Sequence, residues 1–237
     1  MRELLESVKW ADEIMVVDSF STDETVEIAR EYTDFILQRK YTTPANQKNW
    51  AIPQATHPWI LLLDADERVT PNLKKEILQT IENQPKEVAF WISRENYFMQ
   101  KRVKYSGWQN DAVIRLFRRD ECRYENKAVH EEIETQGKVG RLKAKLTHNT
   151  YKDMAHFLEK MQRYARLSAQ DYAPKTPRVT LYHLWLKPAF RFFKHYILKL
   201  GFLDGKVGFI ISAIMAWGVF LRYVNIIENR RFSDDSP

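Results

Sequence analysis

The chain has 237 residues, 44% hydrophobic and 13% aromatic, with seven glycines, which suits one folded domain with an appendage and excludes a disordered or repeat protein. Its single cysteine, Cys122, excludes a disulfide scaffold and a cysteine-based zinc site and fits a reducing compartment. The net charge of +6 is unevenly spread: residues 1–174 carry 27 basic and 27 acidic residues, whereas residues 175–231 carry ten basic against two acidic.

The opening MRELLESVKW is charged and helical in character and lacks the apolar core of a secretory signal, so a cytoplasmic protein is expected. EIMVV, residues 13–17, reads as a strand ending in Asp18, and DETVEIAREY, residues 23–32, has helical apolar spacing. FILQ, residues 35–38, is a second short strand; a helix from about Ala45 to Gln54 and a strand from Trp59 to Leu63 follow. A further helix runs from Pro71 to Glu82, its start supported by proline in the first turn. This alternation predicts a parallel sheet with helices on its faces.

From Glu87 onward AFWISRENYFM, VIRLFRR and GRLKAKLTH have strand character with no helices between them, so they extend the sheet in mixed or antiparallel fashion. From Asp153 the chain turns helical, with Met154, Phe157, Leu158, Met161, Tyr164 and Leu167 expected as one core stripe. VGFIISAIMAWGVFL, residues 207–221, is fifteen residues without a charge. A bilayer-spanning helix needs roughly 20. With RFFKHYILKLGF just before it, the stretch suits an in-plane or shallow helix on anionic lipid; the alternative is a core hairpin with a solvated basic face. Nucleic acid is not expected as a partner, because the basic residues border an apolar run instead of a polar groove. The expected division is a catalytic domain over 1–152, a helical membrane-associating region over 153–231 and a tail over 232–237.

The chemistry concentrates at WILLLDADERV, residues 59–69. The apolar run suits a strand covered on both faces, and Asp64, Asp66 and Glu67 fall where open α/β sheets place their ligands. In extended chain Asp64 and Asp66 point the same way and can share a cation. The plainer reading is that these acids solubilise a strand end and favour the start of the next helix. Asp18 closes another strand, and two such strand ends over one sheet edge suit a nucleotide and a metal: Asp18 to accept hydrogen bonds from base or ribose, Asp66 to hold an ion that bridges a diphosphate.

VVDSFSTDET followed by ILLLDADE resembles the nucleotide-binding half of family 2 inverting glycosyltransferases with the GT-A fold. RENYF, GWQND, IRLFRR, VHEEI, GRLKAKLTHNTY and GFLDGKVGF continue the likeness, in the order of the lipopolysaccharide core β-1,4-glucosyltransferase branch. The resemblance implies an α/β, Rossmann-like mixed sheet with helices on both faces. It implies transfer of a sugar, glucose from UDP-glucose, to a lipid-linked saccharide such as the lipopolysaccharide inner core, at the inner face of a bacterial cytoplasmic membrane. It further implies Mg²⁺ or Mn²⁺ held by Asp66 and Asp64, with His148 as a late metal or diphosphate contact. Asp18 and Ser19 then hold the nucleotide, and Arg115 and Arg118 pair phosphate oxygens. Glu131 leads as catalytic base, followed by Glu132 and Asp111, and His130 orients the base or touches the donor.

Members of that family begin with a strand and a Tyr-Asn-Glu-like turn that this chain lacks, Met1 lying in the helix that would follow. The strand belongs between those ending at Asp18 and Asp64, so a shortened chain is expected, with either a gap in the sheet or direct pairing of the two neighbours. Two other readings are a non-catalytic, truncated paralogue that binds membrane or partners, and a Mg²⁺-dependent phosphatase, which also ends a strand in Asp-x-Asp.

Overall fold

The computed structural model describes residues 1–125, 132–151 and 153–234. The chain divides into two compact units, one of Met1–Glu95 with Asp111–His148, the other of Asn96–Asn110 with Asn149–Pro237.

In the first unit α1 (Arg2–Val8) precedes β1 (Val16–Asp18), α2 (Thr25–Arg30) and β2 (Ile36–Gln38). There follow α3 (Pro44–Ala51) with a single 3-10 turn at Ile52–Gln54, then β3 (Trp59–Leu61), β4 (Glu67–Val69) and α4 (Pro71–Glu82). Both longer helices start on threonine caps next to proline. Thr43 accepts from the Asn46 amide and Thr70 from the Leu73 amide, each at 3.2 Å, which satisfies amides that the first turn leaves open.

β5 (Glu87–Phe98), β7 (Ala112–Arg118) and β10 (Lys138–Tyr151) are the long strands, and the principal sheet runs β3-β7-β5-β10-β4. β8 (Arg123–Tyr124) and β9 (Ile133–Glu134) make a small antiparallel pair. Helices lie on both faces of the sheet. Leu4 and Val8 of α1 and Leu73 and Ile77 of α4 join Phe90, Ile92, Leu116 and Leu146 in one core. Ala45 and Ile52 join Ala89, Ile114, Phe117 and Tyr124 in the other.

β1 and β2 pair in parallel, from Val16↔Ile36 to Asp18↔Gln38, as the alternation predicts. β3 instead pairs antiparallel with β7, Trp59 opposite Arg118 and Leu61 opposite Leu116. Alternation of strand and helix does not distinguish these arrangements, because β3 takes its partner from residues more than fifty positions later. Among the described residues β1 and β3 do not pair with one another. This corrects one further expectation. Trp59, Leu61 and Leu63 pack toward one core and Ile60 and Leu62 toward the other, as a two-faced strand should, yet all five are only half-buried. Among the described residues β3 is the last strand of its sheet and pairs on one side.

In the second unit β6 (Lys101–Arg102) folds back on Tyr97 and Phe98, and α5 (Met154–Tyr172) begins on Asp153, whose carboxylate accepts from the His156 amide at 2.8 Å. The core stripe of α5 is Phe157, Ala165 and Ala169, while Leu158, Tyr164 and Leu167 are exposed. Of the expected stripe Met154, Phe157 and Met161 do pack in the core, but its later half is displaced, because small alanines allow close packing against α7 (Gly205–Asp234). Between α5 and α7 lie α6 (Lys187–Phe193), flanked by π turns at Tyr182–Leu186 and Lys194–Leu198, and a 3-10 turn at Gly201–Asp204.

The GFLDGKVGF motif is built into this turn. The Asp204 carboxylate accepts from the Lys104 amide at 2.9 Å, the Tyr105 amide at 3.0 Å and the Ser106 hydroxyl at 2.8 Å. A methyl group at Gly208 would sit 1.8 Å from the Gly201 carbonyl oxygen, so only glycine fits there.

Candidate active site

The strand ends of the first unit gather charged side chains around one buried carboxylate, Glu67. It sits on β4, where the alternation Glu-Arg-Val turns Glu67 and Val69 inward, and β4 is registered on β10 with His148 opposite Glu67. Glu67 is fully buried. Its Oε1 accepts from Arg115 Nη2 at 2.8 Å, from Arg115 Nε at 3.2 Å and from Arg94 Nη1 at 3.4 Å, and its Oε2 accepts from the Asp64 amide at 3.0 Å. An unpaired carboxylate at that depth would cost several kcal/mol, roughly, so two guanidinium groups are the condition for its being there.

Each arginine then fixes a second acid. Arg115, itself buried on β7, hydrogen-bonds Asp64. Arg94 on β5 holds Asp111 as a fork, through Nε at 3.0 Å and Nη2 at 2.6 Å, beside a backbone bond from the Arg94 amide to the Asp111 carbonyl at 2.8 Å. His148 lies between two carboxylates, Nε2 at 3.4 Å from Asp66 Oδ2 and Nδ1 at 4.0 Å from Asp111 Oδ2. Asp64, Asp66, Asp111, Arg115 and His148, singled out from the sequence at scattered positions, thus fall in one connected cluster.

The ends of β1 and β3 are joined to the site by α3. Gln47 donates to Ser19 Oγ at 3.3 Å, and the next residue, Lys48, places its ammonium 3.9 Å from Asp64 Oδ1 and 4.7 Å from the centre of the Tyr124 ring. Asn49 ties α3 to β8 by two bonds to the Tyr124 backbone, each at 2.8 Å. Asp18 is buried at the end of β1 and accepts from the Ser21 amide at 3.1 Å and from Gln38 Nε2 at 3.0 Å.

The electrostatics follow from burial and partners. Burial pushes the Asp64 carboxyl up, but the charges of Arg115 and Lys48 outweigh it, and the net shift is downward. Asp18 is likewise raised by burial and lowered more by its Ser21 and Gln38 bonds. Burial disfavours the Arg115 cation, but Asp64 and Glu67 hold it firmly protonated. Burial pushes the Tyr124 hydroxyl up, so it stays a neutral phenol beside these charges.

Two expected roles need correction. Arg118 stands at the opposite end of β7 from the acids, opposite Trp59, with its guanidinium 4.8 Å from that ring and 3.8 Å from Glu121, and so lies away from the cluster. Arg115 is in the cluster, and its Nε and Nη2 donate to Asp64 and Glu67, so in this structure it holds acids. Glu132 is exposed, and its carbonyl accepts from the Glu125 amide at 2.9 Å. His130 and Glu131 lie outside the described residues. Sequence reasoning saw Glu67 without giving it a role and missed Arg94 and Lys48. Arg94 stands inside the RENYF motif, and Lys48 was hidden in a helix whose apolar pattern is weak.

For a divalent ion the available donors are mixed. Among the described residues no three His, Cys, Asp or Glu side chains come together to hold a metal by themselves. Asp66 and His148 nevertheless offer a hard oxygen and an imidazole nitrogen 3.4 Å apart, both able to reach one ion. Mg²⁺ and Mn²⁺ sites at phosphates use one or two protein ligands and fill the remainder with phosphate oxygens and water, so the donor set fits such an ion.

Residues 1–141 match the model of glycosyl transferase family 2. The lipopolysaccharide core biosynthesis glycosyltransferase LpsC of Rhizobium meliloti is 26% identical over 233 residues, spanning 92% of this chain and 86% of that protein. An uncharacterized glycosyltransferase of Rickettsia felis is 24% identical over 229 residues, 92% of this chain and 81% of its own length. Among solved structures, S. aureus TarS 1–349 aligns with 98% of this chain and 87% of its own at 15% identity and a TM-score of 0.42.

Proposed function

Because the chain belongs to glycosyl transferase family 2 and is therefore a glycosyltransferase of α/β GT-A fold, we propose that the Asp64–Asp66–Asp111–His148 cluster is its transfer site, with a nucleotide-sugar donor, a UDP-sugar such as UDP-glucose, and a lipid-linked saccharide acceptor. Family membership also sets aside the phosphatase reading. The observation that carries the proposal is the fixing of Asp64 and Asp111 by a fully buried Glu67 through two arginines. Such a costly buried network is retained where acids must be held in one geometry.

In an inverting transfer the acceptor oxygen bonds to the sugar C1 from the face opposite the nucleoside diphosphate. The C1–O bond to phosphate breaks, and the acceptor proton goes to a base. Asp66 and His148 would hold Mg²⁺ or Mn²⁺, which when bound supplies positive charge to the departing diphosphate. Lys48 adds a fixed cation on the α3 side, and Asp18 and Ser19 face the nucleotide. Arg94 donates to both oxygens of Asp111, which ties that carboxylate to the protein next to His148. The favoured base is Glu131, next to His130 in the sequence, with Asp111 as the alternative.

The relative named for lipopolysaccharide core biosynthesis and the basic C-terminal quarter support an acceptor of that class, the lipopolysaccharide inner core, and a location on the cytoplasmic face of an anionic membrane. The test is release of UDP from UDP-glucose in the presence of inner-core lipid and Mn²⁺. Native chain should turn over, and Asp66→Ala should not, with unchanged thermal melting. Full-rate transfer by Asp66→Ala would remove Asp66 from the site.

A further inference from the structure

The helical stretch from Leu181 to Leu203 in the second unit has its polarity reversed relative to a helix in water. Leu181 and Trp185 are 73% and 72% exposed, Leu186 and Phe190 each 61%, and Phe193 and Ile197 continue the same outward side. Three polar groups of this stretch, Lys187, Arg191 and His195, turn toward the protein, while Lys194 and Lys199 stay exposed. Lys187 donates to the Tyr223 hydroxyl at 2.8 Å and lies 5.0 Å from that ring's centre, and the buried His195 ring bonds the Ser106 carbonyl at 2.9 Å. Arg191 lies half-buried, 3.4 Å from His195 Nε2.

The neighbouring α7 is organised the other way. It is 30 residues long and apolar enough to cross a membrane by length and composition, yet Val207, Ile211, Ile214, Val219, Tyr223 and Ile226 are buried in the protein's own cores. Its apolar side is used against α5 and the helical stretch before it, and most of the outward apolar side chains sit on 181–203.

We infer that residues 181–203 are the membrane-binding element: the helical run 181–198 lying in the plane of an anionic bilayer surface, with the turn after it alongside, Trp185, Phe190 and Phe193 in the headgroup–acyl boundary and α7 as the scaffold behind it. This rests on the membrane location proposed above and names the element responsible for it. Charge chooses the occupant. Lys194 and Lys199 in this stretch and Lys206 just after it are exposed, matching anionic headgroups, whereas in a two-fold dimer through this side the same lysines would meet their copies and repel.

The experiment is sedimentation of the full chain with phosphatidylcholine vesicles, with and without phosphatidylglycerol. The chain should bind the anionic vesicles. Trp185→Ser with Phe190→Ser should bind about a hundredfold more weakly, roughly tenfold for each aromatic, with unchanged melting because both side chains are exposed. As an independent readout, brominated lipid should quench part of the native tryptophan fluorescence, and Trp185→Phe should lose that part. If the chain binds, the double variant binds equally and Lys194→Glu with Lys199→Glu and Lys206→Glu abolishes binding, the membrane location stands and this assignment is overturned. If the native chain ignores both vesicles, or is a dimer that the double variant splits, the lipid reading itself fails.

Discussion

Glu67 and Arg115 in the first unit are charged groups buried deep in protein and answering one another, whereas Trp185 and Phe190 in the second are apolar groups turned outward while Lys187 and His195 turn in. Both arrangements cost free energy in water, for opposite reasons. A buried ion pair forfeits hydration that its Coulombic attraction only partly restores, and an exposed aromatic forfeits the gain of leaving water. On the readings proposed above, the first cost is offset by holding acids in register for a charged substrate, and the second would disappear where the outward side meets lipid. On those readings both departures from the rule of apolar inside and charged outside lie at places where the chain meets something other than water.

The largest effect should come from removing the hub. Glu67→Ala leaves Arg115 and Arg94 facing an empty buried position and should destabilise the chain by about 3–5 kcal/mol in chemical denaturation. Glu67→Gln, which keeps the shape and some hydrogen bonds, should lose less stability but still slow transfer by releasing Asp64. A Glu67→Ala variant as stable as the native chain would break the contrast at its root. Asp66→Ala should leave stability alone and lower the transfer rate by on the order of 10²–10³. In the second unit Asp204→Ala removes three acceptor bonds from the turn before α7 and should cost about 1–3 kcal/mol with no change in nucleotide binding.

A smaller effect concerns pH. Since Asp64 is held below the ordinary value of 3.8, its folded carboxyl releases its proton more readily than the unfolded one. Its contribution is therefore fully present above about pH 4 and is lost as pH falls through the folded value. Melting temperature should show no Asp64-dependent change between about pH 5 and 7, and Asp64→Asn should remove part of the decline below that range. Arg118→Ala should do least, changing stability by no more than about 1 kcal/mol and transfer not at all. A loss of transfer comparable with that of Asp66→Ala would return Arg118 to the site.

The acids of the site were legible because strand ends write themselves as an apolar run broken by carboxylates, as at WILLLDADE and VVD. Glu67 was visible but unassigned, because its meaning depends on Arg94 and Arg115, which arrive from β5 and β7 through long-range pairing. The direction of β3 was illegible for the same reason, as periodicity carries no information on which later strand lies alongside. The apolar run at Val207 was legible as a stretch suited to lipid, and its helix is long and apolar enough to cross a membrane; which of its residues turn to the protein's own cores was not legible. Sequence period distinguishes an apolar side from a polar one and leaves open which of the two faces the protein.

The central claim, that Asp66 holds a divalent ion against a nucleoside diphosphate, is tested most directly by calorimetric titration of UDP into the native chain and into Asp66→Ala, each with and without Mn²⁺. Binding of UDP to the native chain that requires Mn²⁺ and disappears in Asp66→Ala is the predicted result. Equal UDP binding by both chains regardless of Mn²⁺, or no binding by the native chain under any condition, would contradict it, and the latter is what a non-catalytic relative would show.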